Sequence, residues 1–182
     1  MIINYLIKFT LVMLVALILY IIIRLTWLKK KGRAFYWNNE WAALLFISYL
    51  AALASLTIVP SVNWNANEII KQYNFVPFKT LSNQVKYLSY NSFINLVGNV
   101  VLFIPIGFLA PFVWSKCKEW KYALFLGLLV SGTIEFVQYF IGRIADIDDL
   151  IVNTLSIMLG AYLYKKCFKK GERISFTFLI LV

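Results

Sequence analysis

Five stretches of mainly apolar residues divide this 182-residue chain, and shorter polar segments separate them. A helix needs about 20 apolar residues to cross a bilayer, and the fifth stretch, with about 16, is the shortest candidate. The pattern predicts an all-α polytopic membrane protein, a bundle of about five transmembrane helices. The predicted spans are Ile3–Trp27, Trp41–Val59, Phe93–Val113, Tyr122–Ile141 and Asp149–Tyr164.

The composition agrees with a membrane protein, since 62% of the residues are hydrophobic and only 14% are charged. A soluble domain is typically about 45–50% apolar and about 25% charged. The first apolar run is too long for a signal peptide, and its basic cluster follows the run, which predicts an uncleaved anchor. We expect one membrane domain over residues 1–182, with a two-helix N-terminal segment at residues 1–60.

The positive charges predict which way the helices run. Thirteen of the 18 Lys and Arg residues lie in three short segments beside apolar runs, Arg24–Arg33, Lys116–Lys121 and Lys165–Arg173. Such segments stay on the cytoplasmic side, so the N-terminus is expected outside and the C-terminus inside. A nucleic-acid partner is not expected, because it would need one basic face with base-stacking loops.

The longest connection, Ser61–Tyr90, falls on the outer side and mixes aromatic with polar residues. Such residues favour the headgroup region, so the connection is expected to lie against the outer leaflet or to dip into it. An ordinary tethered loop is the alternative. The apolar segment Ile174–Val182 would reach only about 13 Å as a helix and cannot span.

Polar residues of three spans are expected at one depth, in the outer half of the membrane. Residues three or four apart share a helical face, as Asn95 and Asn99 do in the third span and Glu135 and Gln138 in the fourth. A charge near the bilayer centre costs about 2.5–3.5 kcal/mol, so Glu135 is expected to face the protein and to have a function. The predicted ligand-binding pocket consists of Asn95, Asn99, Glu135, Gln138, Arg143, Asp146, Asp149 and Asn153.

Several of these positions also have a structural interpretation. Asn95 and Asn99 could join helices by hydrogen bonds. Asp146, Asp148 or Asp149 could cap the fifth span, with Asp148 or Asp149 favoured. Small residues allow helices to approach closely, and a proline beside a glycine is typical of a kink. The residues with a predicted structural role are Gly98, Pro105, Gly107, Ser156 and Gly160.

The available side chains limit the chemistry of this pocket. The chain has no histidine, which excludes Ser-His-Asp triads, imidazole bases and histidine-rich zinc sites. Oxygen ligands suit Mg²⁺ or Ca²⁺, and any such ion would be held by Glu135, Asp146 and Asp149. Arg143 could instead bind a phosphate, or Glu135 could act as a proton carrier or general base. Cys117 and Cys167 are expected to be free thiols.

The same positions carry a family resemblance over about residues 74–164. The segments resemble those of the VanZ-like family of small bacterial membrane proteins, in the expected order. Ser156 departs from the pattern, because the family usually has glycine there. The matching segments are Asn74–Phe78, Asn95–Asn99, Phe103–Gly107, Ile134–Gln138, Arg143–Asp149 and Asn153–Thr154.

The resemblance implies a multi-pass protein of the bacterial cytoplasmic membrane that is associated with low-level resistance to teicoplanin-type lipoglycopeptides. It implies no mechanism. The leading hypothesis is an outward polar pocket that binds membrane lipid, a cell-wall precursor or the lipoglycopeptide itself. Two alternatives stay open: a metal-assisted enzyme acting on a lipid-phosphate headgroup, and a small proton-coupled transporter.

Overall fold

A computed structural model describes residues 2–32, 37–57, 72–87, 90–141 and 144–168. This part of the chain is almost entirely helical, with one short 3₁₀ turn and two three-residue strands. The elements are α1 (Ile2–Lys30), α2 (Trp37–Thr57), β1 (Gln72–Asn74), α3 (Lys79–Lys86), α4 (Tyr90–Val113), the 3₁₀ turn (Ser115–Lys118), α5 (Trp120–Phe140), β2 (Ile144–Asp146) and α6 (Ile147–Cys167).

Five of these helices are long and apolar enough to cross a membrane, which confirms the predicted all-α bundle. The molecule is therefore a multi-pass membrane protein. The fifth span is longer than predicted: α6 begins at Ile147 and ends at Cys167, 21 residues in all. The prediction was too short because the polar residues at both ends of α6 were excluded from the apolar run.

The closest helix contact joins α4 to α6, through one glycine from each helix. A Cβ atom at Gly107 would lie 1.8 Å from the carbonyl oxygen of Ile157, and one at Gly160 would lie 2.0 Å from that of Ile104. Since no side chain fits there, the two backbones can touch, as is common where membrane helices pack through small residues. The contact fixes the position of α6 against α4.

Other positions with a predicted structural role differ from these two. A Cβ atom at Gly98 would have no heavy atom within 4 Å among the described residues, so close helix packing does not account for this glycine. Ser156 is buried, and its hydroxyl donates to the Val152 carbonyl oxygen at 2.7 Å. Helix α4 continues through Pro105 and Pro111.

The apolar core brings together four of the spanning helices. Its fully buried members come from α2, α4, α5 and α6. Helix α1 lies against α2, and several of its described apolar side chains are exposed, among them Leu11, Ile18 and Ile23, as expected for a helix that faces lipid. The buried core residues are Leu53, Phe103, Ile106, Ile134 and Ile157.

The two ends of the bundle differ in structure. At one end the 3₁₀ turn lies beside the last turn of α6, where the Lys118 ammonium sits 5.8 Å from the centre of the Tyr164 ring. At the other end β1 pairs in parallel with β2, in a register that joins Gln72 to Ile144 and Asn74 to Asp146. We call residues 72–87, which carry β1 and α3, the connector. The predicted outer connection thus contains a strand and a helix.

Candidate functional site

Asp146 is the residue at which α6 begins. Its backbone is extended and its side chain accepts a hydrogen bond from the Asp148 N–H at 2.9 Å, the geometry of an N-cap. The sequence offered Asp146, Asp148 and Asp149 for that role and favoured the last two, which is wrong, since both lie in the first turn of the helix. The cap falls earlier because Asp146 still belongs to β2.

Asp148 instead holds the connector. Its carboxylate accepts backbone N–H groups from Phe78 at 2.5 Å, Thr80 at 2.8 Å and Leu81 at 3.0 Å. These N–H groups open α3 and have no partner within that helix. Phe78 has φ +64°, a left-handed conformation that costs about 1–2 kcal/mol for a residue with a Cβ. One buried side chain therefore fixes both the start of α3 and its strained turn.

Asp146 ties the same connector to α6 a second time. Its Oδ1 accepts from the Asn74 side chain at 3.2 Å, and its Oδ2 accepts from the Thr80 hydroxyl at 2.5 Å. Asn74 also donates to the Thr80 hydroxyl oxygen at 3.0 Å. Sequence reasoning did not propose Asn74 or Thr80 as site residues, although Asn74 begins the Asn74–Phe78 segment that carries part of the family resemblance.

Glu135 supports this arrangement from α5. Its Oε2 accepts the backbone N–H of Asp146 at 2.9 Å, and its side chain is 8% exposed. The carboxylate therefore faces the protein and not the lipid. It positions the segment before α6 and does not line the pocket described below.

Three carboxamides of the predicted pocket join helices. Asn99 of α4 donates to Asp149 Oδ1 at 3.1 Å, and Asn153 of α6 donates to the Ser131 hydroxyl oxygen at 3.1 Å. Gln138 of α5 donates to the carbonyl oxygen of Thr57 at the end of α2, at 3.3 Å. For Asn99 this is the interhelical role that the sequence left as an alternative.

A pocket of about 440 Å³ opens between the connector and the adjoining ends of α4 and α6. Three of the predicted residues lie on its wall, namely Asn95, Asp146 and Asp149. Four others, Asn99, Glu135, Gln138 and Asn153, are not among the lining residues, and Arg143 lies outside the described residues. The lining residues are Asn74, Lys79, Thr80, Asn83, Asn95, Ile144, Asp146 and Asp149.

The acidic residues that the sequence offered for a Mg²⁺ or Ca²⁺ site take part in hydrogen bonds within the protein. Both oxygens of Asp146 and Oε2 of Glu135 already accept hydrogen bonds from N–H or O–H donors. In the described ranges, no three His, Cys, Asp or Glu side chains are placed to hold a metal ion. The carboxylates here act as hydrogen-bond acceptors that frame the pocket.

The connector presents a surface rich in exposed apolar side chains, which we call the aromatic rim. Each of its members is more than half exposed. Large exposed apolar patches mark contacts with proteins or membranes. The aromatic rim consists of Tyr73, Phe75, Val76, Phe78, Val85 and Tyr87.

Another buried carboxylate lies on α2, in the first turn of that helix. Glu40 is 1% exposed and forms an ion pair with Arg24 of α1, whose Nη2 lies 2.8 Å from Oε1. Arg24 Nε lies 3.0 Å from both carboxylate oxygens, and the Tyr20 hydroxyl also donates to Glu40. Sequence reasoning read Arg24 only as a topology signal and did not consider Glu40, the first acidic residue of the chain.

The two cysteines are free and differ in their surroundings. Cys117 is buried in the 3₁₀ turn, and burial raises the pKa of its thiol to about 11. Cys167 ends α6 and is exposed. Cys117 is therefore a poor nucleophile at neutral pH, because the thiolate is the reactive form.

Comparison with known protein families shows that residues 46–169 match the VanZ/LLP1 family. The match extends beyond the predicted 74–164 in both directions and covers about two thirds of the chain. It contains the connector, the pocket and helices α4 to α6, whereas α1, Arg24 and Glu40 precede it. Comparisons with curated proteins and with solved structures found no match. The chain belongs to the VanZ/LLP1 family.

Proposed function

We propose that this protein binds the polar headgroup of a lipid or of a lipid-linked envelope ligand on the outer face of the bacterial cytoplasmic membrane. Binding there would lower susceptibility to teicoplanin-type lipoglycopeptides. The observation that carries the proposal is the pocket between the connector and the ends of α4 and α6. Pockets lined by a few converging polar groups are the default binding sites of proteins.

The distribution of charge supports the outward orientation of this pocket. Lys116, Lys118, Lys165 and Lys166 lie at the end of the bundle opposite to the connector. Basic residues beside membrane helices favour the cytoplasmic side. The end that carries the pocket would then face outwards, where envelope precursors and glycopeptide antibiotics meet the membrane.

The aromatic rim supports a ligand that comes from the membrane. Aromatic residues next to spanning helices favour the headgroup region of a bilayer. The rim residues Phe75 and Phe78 flank the turn that leads to Lys79 and Thr80 in the pocket wall. A headgroup could therefore enter the pocket while its acyl chains stay in the leaflet.

The buried frame behind the pocket favours binding over metal-assisted catalysis. Asp146 and Asp148 use their oxygens to hold the connector through N–H, amide and hydroxyl donors. A preorganised frame of this kind lowers the entropic cost of binding. The same residues would need free oxygens to hold a divalent ion.

The test is drug susceptibility of a teicoplanin-sensitive bacterium that expresses the full chain. Cells with the native chain should grow at a higher teicoplanin concentration than cells with an empty vector. Glu135→Gln and Asp149→Asn should abolish that difference. The Glu135 change weakens the acceptor that holds the Asp146 backbone, and the Asp149 change removes a charge from the pocket wall. Thr133→Val is the matched control, since Thr133 on α5 is exposed and its hydroxyl binds its own helix at Leu129.

Membrane expression of every variant is measured by immunoblot of a tagged chain. A glycopeptide without an acyl chain serves as a second drug, and the protective effect against it should be smaller. Unchanged teicoplanin resistance in both pocket variants, at equal membrane levels, would contradict the proposed function.

A further inference from the structure

The aromatic rim of the connector continues onto the surface of a spanning helix. The connector ends at Tyr87, and α4 begins three positions later, at Tyr90. The first turns of α4 expose Tyr90, Phe93 and Ile94, each by at least half. Exposed apolar side chains on a spanning helix face lipid. The aromatic rim therefore adjoins a surface that the bilayer covers.

Helix α3 of the connector is amphipathic. Leu81 and Val85 are four residues apart and share an apolar face, whereas Lys79, Asn83 and Lys86 lie together on the opposite side. Val85 is 64% exposed, so the protein leaves this part of the apolar face uncovered. An amphipathic helix with lysines on its polar face typically lies in the plane of the bilayer surface, with its apolar face at the boundary between headgroups and acyl chains.

The connector carries charge of one sign. It contains Lys79 and Lys86 and no Asp or Glu. Both lysines are exposed, whereas Asp146 and Asp148, which hold the connector to α6, are buried, and Asp149 beside them is half-buried. Each lysine near an anionic membrane surface contributes about 1 kcal/mol to binding. The exposed charge of the connector is therefore complementary to an anionic lipid surface.

The connector is also tethered beside that surface. Asp148 holds the start of α3 through the backbone N–H groups of Phe78, Thr80 and Leu81, and a spanning helix follows directly. A segment that is tethered next to its binding surface has a high effective concentration, so a few contacts are enough to hold it there. A helix of eight residues can thus lie in the bilayer interface here, although its own apolar area is small.

We propose that the connector is an interfacial anchor whose partner is an anionic phospholipid surface, the leaflet at its own end of the bundle. Phe75, Phe78 and Val85 insert into the boundary between headgroups and acyl chains, and Lys79 and Lys86 lie at the level of the lipid phosphates. The anchor binds a lipid surface and not a single ligand, so it is distinct from the pocket. It holds for either orientation of the bundle in the membrane.

The depth of the connector is measured by fluorescence quenching of the full chain in nanodiscs of phosphatidylcholine and phosphatidylglycerol in equal parts. Val85→Cys and its polar-side control Ser82→Cys each carry a bimane label, in a background with Cys167→Ser. Cys117 is buried and labels slowly. A nitroxide on the lipid acyl chain should quench the label at position 85 more than the label at position 82. Aqueous iodide should quench the two labels in the reverse order.

The lipid preference is measured with the same label at position 85. The nitroxide is placed either on phosphatidylglycerol or on phosphatidylcholine, while the overall lipid composition stays constant. The phosphatidylglycerol nitroxide should quench more strongly. The quenching should correspond to a local excess of phosphatidylglycerol of about fivefold or more, because about 1 kcal/mol per lysine is equivalent to about fivefold.

Two exposed lysines provide a matched pair of variants. Lys86→Gln should lower the local excess of phosphatidylglycerol by about fivefold, since it removes one of the two connector charges. Lys86 does not line the pocket, so this variant leaves the pocket wall intact. Lys165→Gln makes the same change at the opposite end of the bundle, in the last turn of α6, and should leave the excess unchanged. Both side chains are exposed, so neither substitution threatens folding.

Three outcomes would overturn the anchor. Equal iodide quenching at positions 82 and 85 would mean that the connector lies in water. Protection of position 85 from both quenchers would mean that another protein chain covers the aromatic rim. Equal quenching by the two nitroxide lipids, or equal effects of the two lysine variants, would mean that the connector does not select anionic lipid.

Failure of the anchor differs from failure of the proposed function. If the label at position 85 lies in water while Asp149→Asn still abolishes teicoplanin resistance, the anchor is wrong and the proposed function stands. If the label lies in anionic lipid while every pocket variant keeps full resistance, the anchor stands and the proposed function is wrong.

Discussion

Glu40 and Asp148 are buried to the same extent, 1% exposed each, yet they are satisfied in opposite ways. Glu40 faces a cation, Arg24, and a tyrosine hydroxyl. Asp148 accepts three backbone N–H groups of the connector and no charged donor among the described residues. The first arrangement neutralises charge and joins two helices. The second leaves the negative charge in place and uses it to organise a separate segment of backbone.

This difference matches the positions of the two residues. Glu40 and Arg24 precede the region that matches the VanZ/LLP1 family, and their ion pair joins α1 to α2. Asp148 lies within that region, directly behind the pocket wall formed by Asp146 and Asp149. A neutralised pair is suited to holding helices together, whereas the Asp148 carboxylate is suited to fixing the backbone behind a pocket.

The largest expected effect comes from removing only the cation of the Arg24–Glu40 ion pair. Arg24→Met should lower the free energy of unfolding by about 3–5 kcal/mol, because it leaves Glu40 buried without its cation. The double variant Arg24→Met with Glu40→Leu should recover most of that loss. Unfolding of the purified chain in mixed micelles by sodium dodecyl sulfate gives the values, and an equal loss in both variants would show that the charge is not the cause.

The second largest effect is expected at Asp148, whose carboxylate binds backbone N–H groups of the connector. Asp148→Asn should cost about 1.5–3 kcal/mol, since an amide keeps one acceptor oxygen but turns an NH₂ group towards the N–H groups of Thr80 and Leu81. Hydrogen exchange should rise in residues 78–81 and stay unchanged in α1 and α2. Glu119→Gln is the control, because its pair with Lys121 is exposed. Exchange that rises equally in all helices would contradict a local role.

A smaller, matched comparison removes one hydroxyl donor from each network. Tyr20→Phe takes a donor from Glu40, and Thr80→Val takes one from Asp146. Each should cost about 1–2 kcal/mol, as hydrogen bonds to charged groups usually do. Only Thr80→Val should also lower teicoplanin resistance, measured by the susceptibility test of the proposed function. Lower resistance in Tyr20→Phe would mean that the two networks are coupled.

The last experiment uses an exposed cysteine variant, which should have the smallest effect on stability. Labelling of this cysteine tests on which side of the membrane each end of the bundle lies. A membrane-impermeant maleimide should label Ser82→Cys on α3 in intact cells and should label Cys167 only after permeabilisation. Cys117 should stay slow in both cases. Its raised pKa of about 11 leaves about one thiol in 10⁴ ionised at pH 7, so its labelling rate should rise about tenfold per pH unit towards pH 11. Labelling of Cys167 in intact cells would reverse the proposed orientation.

Local sequence patterns predicted the spans, and they predicted that the Glu135 side chain faces the protein interior. Hydrophobic run length is a property of neighbouring residues, and the cost of a charge in lipid applies to a single side chain. The same reasoning placed Asn95, Asp146 and Asp149 near one another, because alternating spans bring their ends to one depth.

The frame around the pocket could not be obtained in this way. Asp148 binds backbone N–H groups about 70 positions earlier, and any residue type except proline can supply such a group. Glu40 was missed for a related reason, since its partners Tyr20 and Arg24 lie on another helix and only the packing of α1 on α2 brings them together. Periodicity describes one helix and does not describe which helices meet.

The contact between Asp148 and Phe78 also has a consequence for the order of events during synthesis. The two residues are 70 positions apart. At about 5–20 residues per second, the ribosome adds Asp148 about 4–14 s after Phe78. During that interval α3 lacks the Asp148 acceptor for its first N–H groups, and β1 lacks its partner strand. A nascent chain that stops before Asp148 should therefore leave the connector accessible to protease, however many helices have already been inserted.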